Sequence, residues 1–305
     1  MDAITLTLEE LQSVLPYVKH RLKEPMSNHT SFKIGGPVRV MFFPENLEAL
    51  IRLNGTLREH GVAPLIIGNG TNLLVTDGEV DNAVIKMTGL QNARETGDGE
   101  ITADAGVPLS EIASLAYELG LSGMEFAHGI PGTLGGALVM NAGAYGREMK
   151  DVVYETKALN SDNELYSTVS EEHGFFYRSS RFSESSDIIV SSTLRLHKDD
   201  RERIKARMNE YAKKRRKSQP LDLPSAGSTF RRPEKGYAAR LIEEAGLKGF
   251  TIGGAQVSEL HSGFIVNRGG AAFSDVMAVI EHVKEAILIR FGIELELEVK
   301  VVNPS

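Results

Sequence analysis

Short apolar runs rich in β-branched and aromatic residues alternate along the chain with stretches in which apolar residues recur every three to four positions, so strands and helices are interleaved. Residues 38–43 (Val-Arg-Val-Met-Phe-Phe) read as a strand, and after Asn46, a good helix cap, Leu47, Leu50, Ile51 and Leu57 recur at helical spacing until Gly61. Strand character resumes at 65–67, and two more extended runs, 83–87 and 101–103, precede a helix from about Ser110 that stops at Gly120. A loop-rich middle follows, closed by the β-branched strand 188–196.

The remainder changes rhythm. Residues 199–217 predict a charged amphipathic helix, acidic at its start and basic at its end as the helix dipole favours, and Pro220 and Pro224 break it. A helix near 237–245, a strand at 263–266, a long helix from Ser274 to about Phe291 and a closing strand 293–302 complete the pattern. In that last strand Ile293, Leu295, Leu297, Val299 and Val301 share one face, and Glu294, Glu296, Glu298 and Lys300 the other. No repeat of fixed period and no low-complexity tract occurs. The fold class expected is α+β, and 305 residues exceed what one hydrophobic core organises, so more than one core is expected.

Composition narrows the function. A formal charge of −7 argues against generic nucleic-acid binding, which needs a dominant cationic field. The chain has no cysteine, which removes disulfides, thiolate metal sites and a cysteine nucleophile, and no metal site is expected. The amino-terminal residues lack a cationic start followed by an apolar run, and no stretch of about 18 apolar residues occurs, so neither export nor a membrane partner is expected and the cytoplasm fits best.

Two glycine-rich stretches are the candidate ligand loops. Gly68-Asn69-Gly70-Thr71-Asn72-Leu73 follows a strand, so backbone N–H groups can face a phosphate while Thr71 and Asn72 add donors. It is not a Rossmann fingerprint, because Leu73-Leu74-Val75 reads as extended where a helix should open, and a Gly-Asn-Gly is more often a plain turn. The second stretch comprises Gly129-Ile130-Pro131-Gly132-Thr133-Leu134-Gly135-Gly136-Ala137 and, further on, Asn141-Ala142-Gly143-Ala144-Tyr145-Gly146. No charged residue lies between 129 and 146, so a diphosphate there would be held by backbone dipoles; a tight packing loop is the equal alternative.

Residues 28–37 (Asn-His-Thr-Ser-Phe-Lys-Ile-Gly-Gly-Pro), the two glycine-rich loops, Tyr177-Arg178-Ser179-Ser180, Ala226-Gly227-Ser228-Thr229-Phe230, residues 261–267 and the terminal Glu296-Leu297-Glu298-Val299-Lys300 occur in one order. In that order the chain resembles the UDP-N-acetylenolpyruvoylglucosamine reductases, MurB, almost end to end. The short approach from Tyr177-Arg178 to the next strand resembles the family's second type. The resemblance implies the FAD-binding fold of the vanillyl-alcohol-oxidase-like (PCMH/VAO-type) flavoproteins, two α+β subdomains at 1–87 and 88–200, followed by an α+β substrate-binding domain at 201–305.

It also implies a chemistry. NADPH, as co-substrate, reduces a non-covalently held FAD, and the enolpyruvyl ether of UDP-N-acetyl-3-O-(1-carboxyvinyl)-glucosamine then takes a hydride from flavin N5 and a proton, giving UDP-N-acetylmuramate for peptidoglycan. The cofactor would be held by Gly68, Asn69, Gly70, Thr71, Asn72, Leu73, Gly129, Ile130, Pro131, Gly132, Gly135, Gly136, Ala137, Asn141, Ala142, Gly143, Ala144 and Tyr145. Family position selects Arg178 as the cation for the substrate carboxylate, Ser228 as proton donor and Glu298 as its assistant. By local chemistry alone Arg178 reads as surface and Ser228 as a turn residue, and alternation cannot choose among the three carboxylates of 294, 296 and 298. Tyr177, Arg215, Lys217, Gln256 and Asn267 are substrate-binding candidates. By local chemistry the run Lys213–Lys217 is more often a solvated helix end than a diphosphate contact. Arg231-Arg232-Pro233 departs from the lysine-asparagine-proline of many relatives. Two rival readings are another flavin oxidase or dehydrogenase of the superfamily acting on a sugar or hydroxy acid, with His128 the histidine nearest the second loop, and a non-catalytic nucleotide-sugar binding protein.

Overall fold

The computed structural model describes residues 3–303, in two compact units. The first comprises the chain up to Leu22, Val40–Asn69 and Asn82–Lys214; the second comprises Lys23–Arg39, Gly70–Asp81 and the chain from Arg215 onward. Each has its own apolar core.

The amino-terminal part places helix α1 (Ala3–Val14) before strand β1 (Lys19–Pro25), β2 (Pro37–Phe43), helix α2 (Leu47–Glu59), β3 (Leu65–Ile67), β4 (Leu73–Val75) and β5 (Val80–Lys86). The sheet order is β1-β2-β5-β3, with β3 parallel to β5. Helix α2 forms as its sequence dictates: the Asn46 side chain accepts the Ala49 N–H at 2.9 Å, Glu48 lies in the first turn and Arg58 in the last. Leu50, Leu53 and Leu57 are fully buried, each contributing about 1.5–3 kcal/mol.

A second sheet follows from β6 (Ala93–Gly97), β7 (Glu100–Asp104), β8 (Val153–Leu159), β9 (Leu165–Val169) and β10 (Ile188–Arg195), in the antiparallel order β9-β8-β10-β7-β6. Helices α3 (Leu109–Glu118) and α4 (Leu134–Val139) lie between β7 and β8 in the chain. The expected loop-rich middle is therefore a correction. It contains β8, an interior strand of this sheet, whose Glu155 and Lys157 point to the polar face while Thr156, Ala158 and Leu159 are buried. Helix α1 is a further element that the sequence pattern does not announce.

The second unit carries the antiparallel sheet β11 (Ser225–Ser228), β12 (Thr251–Ile252), β13 (Ala255–Val257) and β14 (Phe264–Asn267) in the order β11-β14-β13-β12. Helix α5 (Arg201–Ser218) precedes it, α6 (Ala238–Glu244) follows β11, and α7 (Phe273–Phe291) buries Val276, Val279, Ile280, Val283 and Ile287 as one stripe. The closing strand also needs correcting: only β15 (Lys300–Val302) is a regular strand, parallel to β4. The N–H groups of both Glu298 and Val299 donate to the Thr229 carbonyl, at 2.9 and 3.4 Å, so the ladder begun at the Phe230–Leu297 bridge cannot continue in register. Among the described residues no helix is long and apolar enough to cross a membrane.

Candidate active site

In the first unit Phe176 and Ser179 exchange both backbone hydrogen bonds, at 3.0 and 3.3 Å, and Tyr177-Arg178 form the tip of this turn. Arg178 takes φ +52°, a left-handed conformation that glycine or asparagine normally fills in such a turn. Its guanidinium lies 5.2 Å from the centre of the Tyr177 ring and donates a long bond of 3.4 Å to the Gly143 carbonyl. A long cationic side chain is thus held half-buried on left-handed backbone.

The same unit contains Gly68, Asn69 and the whole second loop. Much of the glycine is explained by packing. A Cβ on Gly68 would stand 2.1 Å from Thr133 Oγ1, one on Gly135 would stand 3.0 Å from Ala105 Cβ, and one on Gly143 would stand 2.6 Å from the Arg147 carbonyl oxygen. The Asn69 side chain donates to the Pro131 carbonyl at 3.0 Å, tying the two loops together. Gly135, Gly136 and Ala137 are helical, part of α4, and the N–H groups of Gly135 and Ala137 donate to Ala105 and Thr133 carbonyls. Asn141, fully buried, donates to Glu148 and to the Phe176 carbonyl and accepts the Lys150 N–H, so its side chain orders the protein itself, including the turn that bears Arg178.

Donors nonetheless remain. Among the described residues the N–H groups of Gly132, Thr133 and Gly136 make no hydrogen bond within the protein, nor do those of Gly70 and Thr71 in the second unit. Nothing comes closer than 3.7 Å to a Cβ built on Gly136. Uncharged loops with unspent N–H groups fit a diphosphate-bearing cofactor such as FAD. Gly70, at φ +61°, is required by the fold as well, since a Cβ there would lie 2.1 Å from the His29 carbonyl oxygen. The expected side-chain donation by Asn72 is redirected: it donates to the Glu298 carbonyl at 3.0 Å. Burial, then the charge of Lys205, holds His128 below the usual histidine pKa.

In the second unit Ser228 pairs with Phe264 one register step out of line with the Ser225–Val266 pair, because Gly227 at φ +76° makes a bulge. The bulge decides where the hydroxyl points. Thr229 is anchored on every side: its N–H donates to Gly263, its hydroxyl accepts Ile265 N–H, and its carbonyl accepts Glu298 and Val299. The half-buried Ser228 hydroxyl has no partner among the described residues. Ser228 and Glu298 are thus brought together on adjoining backbone, and Glu298 is half-buried where Glu294 and Glu296 are exposed. Arg178 belongs to the other unit.

Of the substrate candidates, Lys217 is exposed and Arg215 half-buried at the basic end of α5, and Tyr177 is exposed. Gln256 and Asn267 are committed elsewhere. Gln256 donates to Thr251 and Gly249; Asn267, 6% exposed, donates to the Phe32 carbonyl and accepts the N–H groups of Gly269 and Ala271. Thr133 and Thr229, which fit the first loop and fix the Ser228 strand, carry no sequence signal beyond their neighbours.

Comparison with known proteins decides the family. Over 298 residues, 98% of both chains, the protein is 47% identical to a UDP-N-acetylenolpyruvoylglucosamine reductase from Caldanaerobacter subterraneus subsp. tengcongensis. The chain belongs to the UDP-N-acetylenolpyruvoylglucosamine reductase family. A reductase of this name from Syntrophomonas wolfei is 48% identical over 96% of this chain and 98% of its own. The crystal structure of the family member MurB from Thermus caldophilus superposes with a TM-score of 0.80 at 34% identity, covering 93% of this chain and 98% of that one. Residues 38–168 match the FAD binding domain and residues 219–302 the C-terminal domain of UDP-N-acetylenolpyruvoylglucosamine reductase. The α+β fold expected from the family resemblance is the one observed. Both glycine-rich loops fall in the first span, and Ser228 and Glu298 in the second; Arg178, Arg215 and Lys217 lie outside both.

Proposed function

We propose that the chain is a UDP-N-acetylenolpyruvoylglucosamine reductase that binds FAD non-covalently, takes reducing equivalents from NADPH and converts UDP-N-acetyl-3-O-(1-carboxyvinyl)-glucosamine to UDP-N-acetylmuramate. What carries this reading is identity of 47–48% along nearly the whole chain to relatives of that name. Bound FAD would supply the hydride that adds to the terminal carbon of the enolpyruvyl group.

The chain's own residues meet the other demands. Adding hydride at the terminal carbon leaves negative charge on the carbon bearing the carboxylate. Arg178 holds that carboxylate with a permanent positive charge, which lowers the cost of the second negative charge. The Ser228 hydroxyl, which has no partner among the described residues, delivers the proton to the charged carbon, and Glu298, on the adjoining backbone, assists that transfer. In the first unit the unspent N–H groups of Gly132, Thr133 and Gly136 suit the cofactor's diphosphate. Lys217, Arg215 and Tyr177 are the candidates for contact with the nucleotide sugar, while Gln256 and Asn267 spend side-chain groups on the protein.

The three-part division into 1–87, 88–200 and 201–305 belongs to the same reading, supported by one four-stranded sheet, one five-stranded sheet and a second four-stranded sheet within those limits. Cytoplasmic residence belongs to the same reading. An anaerobic experiment tests the function: NADPH should bleach the flavin of the purified protein, and the enolpyruvyl sugar should then restore its colour with formation of the lactyl ether. Failure of the sugar to reoxidise a reduced flavin sinks the assignment.

A further inference from the structure

Residues 129–146 carry no charged side chain, so whatever holds this stretch at its two ends must come from outside it. One face of α5 reaches both. At the leading end, the 3₁₀ turn Glu125–Ala127 runs directly into His128 and Gly129, and Ile130 N–H closes back on the Ala127 carbonyl at 2.9 Å. The Glu125 carboxylate is buried, accepts the Ser122 hydroxyl and the Gly123 N–H, both at 2.8 Å, and is gripped by Arg207 of α5 through Nε at 3.0 Å and Nη2 at 2.7 Å. Arg207 also donates to Ser122 Oγ at 3.1 Å and to Asp199 at 2.6 Å. At the trailing end, Tyr145 in its left-handed conformation (φ +56°) stacks on the Tyr211 ring, centroids 4.4 Å apart and planes 2° from parallel, and its hydroxyl donates to the Tyr211 carbonyl at 3.0 Å. Arg207 and Tyr211 are one helical turn apart on the same stripe as the buried Ile204 and Met208.

We infer that α5 is a brace for the cofactor loop, with Arg207 and Tyr211 as positioning residues that hold both ends of residues 129–146 in the shape FAD requires. The inference rests on the FAD reading above. Burial alone would push the Glu125 carboxyl up; the hydrogen bonds of its own backbone, Arg207, Gly123 and Ser122 together hold it below the usual range, so the anchor stays ionised at neutral pH. Each brace residue acts through the group it holds, Arg207 through Glu125 and Tyr211 through Tyr145. Their loss should therefore alter how long flavin stays bound rather than the chemistry of bound flavin.

The test uses the full-length holoprotein. Flavin release after dilution is followed by the appearance of free-flavin fluorescence, beside the thermal midpoint, for Tyr211→Leu, Arg207→Lys and a control, Ile204→Val, which thins packing under the same helix and leaves both brace contacts in place. Release should be roughly three- to tenfold faster in Tyr211→Leu and in Arg207→Lys, the range that a lost aromatic stack or a degraded guanidinium fork supports. Ile204→Val should lower the midpoint and leave release at the wild-type rate. Wild-type release rates in both brace variants, or equal acceleration in Ile204→Val, overturn the brace while leaving the FAD assignment standing. A wild type that holds no flavin overturns both.

Discussion

Replacing Arg178 with glycine should slow the substrate half-reaction sharply and leave the protein more stable than replacing it with alanine does. A non-glycine residue in the left-handed region costs about 1–2 kcal/mol, and Arg178 sits there at φ +52°. Glycine removes that strain but returns about 0.5–1 kcal/mol in backbone entropy. The substitution also removes the interactions of the guanidinium, among them a half-exposed cation–π interaction with Tyr177 and a 3.4 Å bond to Gly143. Arg178→Ala gives up the same side-chain interactions and keeps the strain, so it should be less stable than Arg178→Gly by about 0.5–1 kcal/mol. Both variants should lose about 10²–10³-fold in the substrate half-reaction, as expected for removing an electrostatic clamp from a developing charge. Urea unfolding of the two variants beside wild type, and stopped-flow reoxidation of the reduced flavin by the enolpyruvyl sugar, measure the two halves. A glycine variant less stable than the alanine variant, or one that reoxidises at the wild-type rate, refutes the reasoning.

Ser228→Ala should unfold at the wild-type urea concentration, because the hydroxyl has no partner to lose; reduction of the flavin by NADPH should survive while substrate reduction slows by about 10²–10⁴-fold. Gly68→Ala drives a methyl to 2.1 Å from Thr133 Oγ1 and should cost about 1–3 kcal/mol, measured by thermal unfolding, with part of the loss recovered when Thr133→Ala is added. His173 is fully buried, its Nδ1–H donating to the Ser170 carbonyl at 2.8 Å and its Nε2 paired with Thr156 at 2.9 Å, and burial holds its pKa below the usual value. Its contribution to stability is therefore complete above about pH 6.5 and is lost as pH falls through that value toward the lowered folded one. His173→Gln should flatten the fall in unfolding free energy between about pH 7.5 and 5.5 by up to about 1.4 kcal/mol per pH unit; an unchanged slope would mean that His173 is not neutral in the fold.

How much can be read in advance differs from element to element for physical reasons. Helices α2 and α7 declare themselves because one face is apolar at helical spacing and because Asn46 and Gly292 punctuate them. Strand β8 does not: its polar face carries Glu155 and Lys157 against solvent, so the local pattern looks like a loop even though β9 and β10 flank it. Glycine density at 129–146 points to close approach without saying of what, and the structure divides the answer between packing at Gly135 and Gly143 and open donors at Gly132 and Gly136. The order of motifs locates Ser228 and Glu298, but their adjacency depends on the Gly227 bulge and on two N–H groups sharing one carbonyl, features of backbone register that no local composition encodes. Asn72, Asn141 and Asn267 show the opposite limit. Each is polar and lies in a motif, yet each spends its side chain on backbone groups of the protein.

The most direct measurement is a crystal structure of the full chain with FAD and the enolpyruvyl nucleotide sugar bound. The guanidinium of Arg178 should grip the substrate carboxylate, and the Ser228 hydroxyl should lie about 3 Å from the carbon to be protonated, with Glu298 beside it. A complex in which Arg178 engages only protein groups, or in which Ser228 faces away from the enolpyruvyl carbon, would contradict the proposed chemistry.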